Sequence, residues 1–459
     1  MNPVIGIIGG MGPLATCDLM NKIIRFTDAK TDQQHIRICV DCNTNIPDRT
    51  EAILHHGKNP VPELVKSALR LEEMGAQLLV MSCNTAHYFY DDVMPYVDVP
   101  FMNMIEETAK YLKEHNVNTA AVFATDGTRD SGVYERVLSR AGIRVVLDGV
   151  FNHTGNNSRY FNAEGFYPEL GAAQSQDSPY FDWYSFHPWP TDYDAWWGVR
   201  TLPAVNEEAP SYRDFIVRSQ DSVVRHWLRQ GADGWRLDVA DELPDDFIAE
   251  IRQAMESEKP DSFLLGEVWE DGSNKIAYSH RRRYLLGRET HGLMNYPFRT
   301  AALAWLRGGD ASDFRLDMEE IRENYPPAAF HSGLNILGTH DTPRLLTMLG
   351  AARTPETKDD RAAYRLSPEE LDMGLARLRL GALLLYSFPG SPTVFYGDEA
   401  GMQGFEDPLN RGTYPWGQED PALLAYFRQL GTLRKQRVSL QCGDICYLYA
   451  VGGGLVLRR

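Results

Sequence analysis

The stretch "AGIRVVLDGVFNH", residues 141–153, decides how the chain is divided. A glycine turn closes a helix, and a β-branched run then reads as a buried strand with charged residues near its carboxyl end. Followed towards the N-terminus, the stretch completes a rhythm of short apolar runs and amphipathic helices that begins at residue 1. Followed towards the C-terminus, it starts another rhythm of strand, charged residue, loop and helix, which continues to residue 459. The architecture is therefore expected to change inside this stretch.

Composition sets the frame. A chain of 459 residues exceeds single-domain size, and its 43% hydrophobic and 24% charged residues are those of a globular protein. A net charge of −17 argues against nucleic acid or an anionic membrane as partner, since either calls for a basic patch. The opening "MNPVIGIIGGMGPLAT" is apolar without a preceding basic residue, which reads as a first strand and turn and not as a signal peptide. No uncharged run reaches the length of a membrane span. Six scattered cysteines point to a reducing, cytoplasmic location. Cys39 and Cys42 form a C-x-x-C at the end of an apparent strand, where positions three apart face opposite ways. Cys442 and Cys446 lack a second pair for zinc. Neither a metal nor a cofactor is expected.

In the first region "VIGIIGG", "HIRICVD", "QLLVMSC" and "TAAVFAT" read as parallel strands, with "PVPELVKSALRLEEMG" and "IEETAKYLKEHN" as helices between them. That alternation predicts a doubly wound α/β layer. "GMGPLA" from Gly10 satisfies the dinucleotide fingerprint, yet the same glycines could form a tight turn that brings backbone amides to a substrate carboxylate. Cys83 follows a strand directly, at the edge where α/β crevices form, and a thiolate there could remove a weakly acidic Cα proton. A buried structural cysteine is the plain alternative. Together, "GIIGGMGPLAT", "IPDRT" and "CNTAHYF" resemble the aspartate/glutamate racemase family over residues 1–146. The resemblance implies that Cys83 is the cysteine of a first lobe, that Asn84 and Thr85 bind the amino acid, and that Arg49 holds its side-chain carboxylate. It also implies a second cysteine on the opposite face of the substrate. The only later cysteines, at 442 and 446, lie in unrelated sequence, so racemisation is expected to be impaired.

Beyond Leu147 four motifs appear, each at the end of a probable strand: "LDGVFNH" (147–153), "GWRLDVADE" (234–242), "LLGEVWED" (264–271) and "LGTHDT" (337–342). The repetition predicts a (β/α) barrel with its chemistry at the carboxyl ends of strands. Three carboxylates, Asp238, Glu267 and Asp341, would converge there, and a retaining glycosidase needs one carboxylate as nucleophile and a second as acid and then base. Arg236, two residues before Asp238 on one strand, shares its face and would pair with it. Leu265, Val268 and Trp269 surround Glu267 with apolar groups suited to an acid's role. These motifs resemble the α-amylase family of glycoside hydrolases over residues 147–459, with "AWWGVRTLPAVNEE" similar to neopullulanase-like and cyclomaltodextrinase-like members. By that resemblance Asp238 is the nucleophile, Glu267 the acid/base and Asp341 the transition-state stabiliser. His153, Arg236, Trp269, His340 and Arg344 would contact the sugar. The aromatic residues of loop 154–208 could stack on sugar rings or fill a small core.

The expected architecture is thus a racemase-like doubly wound α/β lobe fused to a partial (β/α)8 barrel, with the start of a C-terminal β-sandwich. Its parts are a first lobe (1–105), the start of a second lobe (106–146), a barrel from its third strand (147–437) and a truncated β-domain (438–459). Strands near 99–103 and 119–124 could replace the two missing barrel strands or stay in a separate sheet. The expected activity is retaining hydrolysis of α-1,4 glucosidic bonds, with α-1,6 bonds as a further target, in maltooligosaccharides or cyclodextrins. Aspartate racemisation and a catalytically silent chimera are the alternatives.

Overall fold

Val4–Gly9 forms the first strand, β1, and it lies between two parallel neighbours, β2 (Arg37–Cys42) and β3 (Leu78–Met81). The computed structural model describes residues 3–55, 57–114, 119–120, 128, 131–277 and 279–459. Two compact units divide the chain: Met1–Leu147 with Arg229–Asp233, and Asp148–Leu228 with Gly234–Arg459.

In the first unit the helix Val61–Glu73 buries Leu64, Ser67, Ala68 and Leu71, the i, i+3, i+4, i+7 stripe that seats a helix on a sheet. Leu64 and Leu71 are wholly buried, each contributing about 1.5–3 kcal/mol of apolar burial. Gly10, at φ 90°, lets the chain turn against Asn43, whose backbone a Cβ would meet at 2.5 Å. Cys39 is buried and Cys42 exposed, as their spacing on a strand requires. Beyond β3, Phe101 bridges Leu79 in parallel, and the Met102 N–H donates to the Leu79 carbonyl at 2.9 Å. Residues 99–103 therefore extend the first sheet. This corrects the expectation that they could stand in for a barrel strand beside Thr393: the edge of β3 is nearer in sequence and already presents parallel partners. Strand β4 (Thr119–Ala120) pairs in parallel with β5 (Arg144–Gly149), and residues 121–124 of the expected strand lie outside the described residues.

The boundary between the units falls inside β5, between Leu147 and Asp148, which is within the stretch where the sequence changes rhythm. In the second unit β6 (Gly234–Leu237), β7 (Phe263–Gly266), β8 (Gly292–Asn295), β9 (Leu334–Ile336) and β10 (Ser391–Thr393) run parallel in that order. Asp238 N–H donates to the Gly149 carbonyl at 3.1 Å. Among the described residues β10 pairs only with β9, so this is part of a barrel wall and not a closed barrel. Its outer helices pack a core that includes Phe298, Phe314, Leu378 and Phe388. Ser367 and Glu370 cap the longest of them, Pro368–Ser387, reciprocally. The chain ends in an antiparallel hairpin, β11 (Cys446–Val451) and β12 (Gly454–Arg458). Tyr447, Ala450, Leu455 and Leu457 pack on that core, while Leu448, Tyr449, Val451 and Val456 face solvent. No helix among the described residues is long and apolar enough to cross a membrane.

Candidate active site

Every residue of β6 is buried, so the charged Arg236 can persist there only with compensating carboxylates. It has three. Its Nη1 lies 2.7 Å from Asp148 Oδ1 and 2.6 Å from Asp238 Oδ1, and its Nη2 lies 2.7 Å from Glu267 Oε2. Burial works against the guanidinium charge, but Asp148, Glu267 and Asp238 outweigh it and hold the group above its ordinary value. The sequence reading paired Arg236 with Asp238 alone. Asp148, at the end of β5, was missed as a site residue although it stands in the quoted motif.

Glu267 follows β7 and sits among donors. Its Oε2 accepts from the Val239 N–H at 3.0 Å, and its Oε1 accepts from the Trp269 indole at 3.1 Å. The expectation of an apolar cradle is therefore corrected: Val268 is buried nearby, but the carboxylate itself faces Arg236, a backbone amide and an indole. Val239 reaches Glu267 from φ 44°, ψ 52°, a left-handed conformation that a β-branched residue rarely adopts. Trp269, half-exposed, stacks on Tyr296 with ring centroids 4.0 Å apart. Burial first, and then Glu267, keep the Tyr296 hydroxyl protonated well above its usual range.

Asp341 follows β9. Its Oδ2 lies 3.2 Å from His340 Nε2, and its Oδ1 accepts from Arg411 Nη2 at 3.3 Å. Arg411 Nε and Asn410 Nδ2 also bond the His340 carbonyl, at 3.1 and 2.6 Å. Arg411 and Asn410 were missed because they lie some seventy residues away on a segment without a regular motif. The charges of Glu267, Asp341 and Arg236 all bear on the Tyr296 hydroxyl. Arg344 is a correction. It is wholly buried, bonds the Tyr396 carbonyl, lies 3.6 Å from Asp398 and stacks over Phe395 and Tyr396, so it braces the end of β10 and does not face a sugar. Gly338 makes room for that brace, because a Cβ there would meet Asp398 Oδ2 at 2.1 Å.

His153 stacks on Trp196 at 5.0 Å. Burial lowers its proton affinity, and the charges of Asp238 and Glu242 act in opposition. Within loop 154–208 the aromatics divide. Tyr160, Tyr180 and Trp183 pack ring on ring, as do Phe161, Tyr184 and Tyr193, whereas Trp197 is 80% exposed.

In the first unit Cys83 is half-buried two residues past β3. Asn84 Oδ1 accepts from the Tyr134 hydroxyl at 3.0 Å, and the buried Thr85 hydroxyl lies 2.7 Å from that of Thr128. Arg49 donates to the Pro47 carbonyl at 3.1 Å and to the Met11 carbonyl at 3.4 Å, tying the glycine turn to the helix that Arg49 begins. The side chains expected to bind an amino acid thus hold intramolecular partners.

Comparison with known proteins gives two family matches. The profile "Alpha amylase, catalytic domain" matches residues 134–438, and "Asp/Glu/Hydantoin racemase" matches residues 8–165. They overlap across the stretch that straddles the unit boundary, as a fusion at a shared element requires. An amylopullulanase of Thermoanaerobacter thermohydrosulfuricus is 36% identical over 70% of this chain and 23% of its own length. A cyclomaltodextrinase of Geobacillus thermopakistaniensis (strain MAS1) is 33% identical over 73% of this chain and 53% of its own length. The structure of the type III pullulan hydrolase from Thermococcus kodakarensis superposes with a TM-score of 0.65 at 26% identity, covering 78% of this chain and 64% of that one. The chain spans less than two thirds of the length of the curated relatives it matches, between 20% and 58%.

Proposed function

The chain belongs to the alpha-amylase family, and from that premise we propose that its second unit hydrolyses α-glucosidic bonds in maltooligosaccharides or cyclodextrins with retention of configuration. The observation that carries the reading is one guanidinium, Arg236, in contact with both Asp238 and Glu267. Two carboxyls held on one side chain favour the short separation, about 5–5.5 Å, that a retaining mechanism uses. Asp238 attacks the anomeric carbon while Glu267 delivers a proton to the leaving oxygen. Water then enters, Glu267 takes its proton, and the bond to Asp238 breaks. Asp341, His340 and His153 stabilise the charged sugar, and Trp269 offers an indole beside the acid. Relatives named for amylopullulanase and cyclomaltodextrinase activity support an α-glucan as substrate. The free cysteines favour a cytoplasmic location. Among the described residues the barrel wall is open beyond β10, and slow turnover is expected for that reason.

A second reading, amino-acid racemisation at Cys83, is favoured by the match over residues 8–165. It needs an opposite-face cysteine that the sequence does not supply. Incubation with maltotriose or a cyclodextrin, and separately with L-aspartate, tests both. Reducing-sugar release with unchanged optical rotation is the expected result, and rotation loss without sugar release reverses the assignment. Neither change leaves the silent chimera.

A further inference from the structure

Residues 195–203 fold back on themselves beside His153. Ala195 bridges Pro203, the Trp196 N–H donates to the Leu202 carbonyl at 2.9 Å, and the Gly198 N–H closes onto the Ala195 carbonyl at 2.9 Å. Trp197 stands at the tip, 80% exposed, at φ 50° and ψ 27°. That left-handed conformation is unfavourable for any residue with a Cβ. An indole so exposed buries little surface, so packing does not account for the strain, and strain of this kind gathers at ligand clamps.

Two contacts fix the ring. Its indole N–H donates to Glu242 Oε1 at 2.9 Å, and Glu242 Oε2 accepts from Asn152 Nδ2 at 3.2 Å. One ring face stacks on Trp196, with centroids 5.2 Å apart and planes at 22°. Trp196 stacks in turn on His153 at 5.0 Å and 21°. Three nearly parallel rings therefore run outward from His153, and the last presents a free face to solvent. Glu242 belongs to the short helix Ala240–Glu242 that follows Asp238, so the platform is tied to the strand end that carries the carboxylates.

We propose that Trp197 is a preorganised stacking platform for a glucosyl unit beyond the point of cleavage, with Glu242 as its positioning residue, so that the site selects longer glucan chains over short ones. The inference rests on the α-glucan reading and adds a length preference to it. The C–H face of a pyranose matches an apolar indole face, and a ring already locked in place loses little freedom on binding.

The test is isothermal titration of the full chain with maltoheptaose and with maltotriose. Trp197→Ala is expected to weaken maltoheptaose binding roughly three- to tenfold and to change maltotriose binding less than about twofold. Trp197→Phe should keep most of the affinity. Glu242→Ala should reproduce part of the loss for maltoheptaose, and Glu242→Gln, which retains an acceptor oxygen, should restore it. Equal maltoheptaose affinity in Trp197→Ala and the unmutated chain overturns the platform while leaving the α-glucan reading intact. Equal losses for both sugars also overturn it, because a general disturbance and not a length preference would then be at work. If the unmutated chain binds neither sugar, the α-glucan reading fails and the platform with it.

Discussion

Cys83 and Asp238 occupy equivalent places, each just past the carboxyl end of a parallel strand in its own unit. Their surroundings differ in a way that separates two kinds of site. Around Asp238 the charged residues come from strands of one sheet: Asp148 at the end of β5, Arg236 on β6, Glu267 after β7 and, beyond β8, Asp341 after β9. Arg236 on β6 touches Asp148, Asp238 and Glu267 from three neighbouring strands, so these three carboxylates meet within one part of the wall. Cys83 has no such local supply. The chemistry implied for it needs a group on the far face of the substrate carbon, contributed by another lobe. On that reading a site drawn from one sheet depends less on distant repeats than a site built between two lobes.

The sharpest way to break this comparison is to remove the carboxylates. Asp238→Asn is expected to lower hydrolysis of maltotriose by at least ~10³-fold, since no nucleophile remains. Glu267→Gln should fall similarly on maltotriose and recover on an activated aryl glycoside, whose leaving group needs no proton. Steady-state rates on the two substrates make the check. Equal residual activity for both variants on both substrates would remove the two-carboxylate assignment.

The counterpart concerns Cys83. Positioned acid–base groups are each worth ~10²–10⁴ in rate, so the unmutated chain should racemise L-aspartate at or below background. Exchange of the α-proton in deuterated water, followed by NMR, can still occur from one face and should vanish in Cys83→Ser. Aspartate racemisation that disappears in Cys83→Ser would show that a partner group other than cysteine completes the site.

The outline of both units was legible in the residues, because strand ends announce themselves by a switch from apolar runs to charged or polar side chains. Asp238, Glu267 and Asp341 were singled out that way. Asp148 was not, although its motif was quoted, since a lone acid after a strand is indistinguishable from an ordinary surface group until Arg236 is seen beside it. Arg411 and Asn410 are joined to Asp341 and His340 only by tertiary packing, which no local pattern records. Arg344 was misplaced for the converse reason: arginine near a catalytic motif reads as ligand-binding, and only its burial against Asp398 and two aromatic faces shows otherwise. The pairing of Phe101 with Leu79 was equally hidden, because a short apolar run fits either of two sheets.

Asp398 sharpens the comparison through stability. Burial pushes its carboxyl from 3.8 up to about 7, with Arg344 acting in the opposite sense. The folded state therefore keeps a proton that the unfolded state has released between these values, and stability falls as pH rises through that window. Asp398→Asn removes the titration. From about pH 5 to about pH 7 the variant should gain on the unmutated chain by about 2 kcal/mol, read from urea midpoints at both pH values. A difference independent of pH would mean that Asp398 is charged throughout.

The smallest effect is expected at Val239. Its φ of 44° aims a backbone N–H at Glu267 Oε2, 3.0 Å away. A non-glycine residue in a sparsely populated backbone region costs of order 1–3 kcal/mol. Glycine removes that strain but adds roughly 0.5–1 kcal/mol of entropy to the unfolded chain and forfeits a half-buried side chain. The two nearly cancel, so Val239→Gly should unfold within about 1 kcal/mol of the unmutated chain. Activity should respond differently, because a freer loop aims its amide less consistently at the acid. A modest fall in kcat with KM little changed is the expected outcome, and the unfolding midpoint measured on the same sample separates it from loss of fold. If the variant instead unfolds far more easily and turns over normally, Val239 holds the loop by packing and the left-handed turn has no part in positioning Glu267.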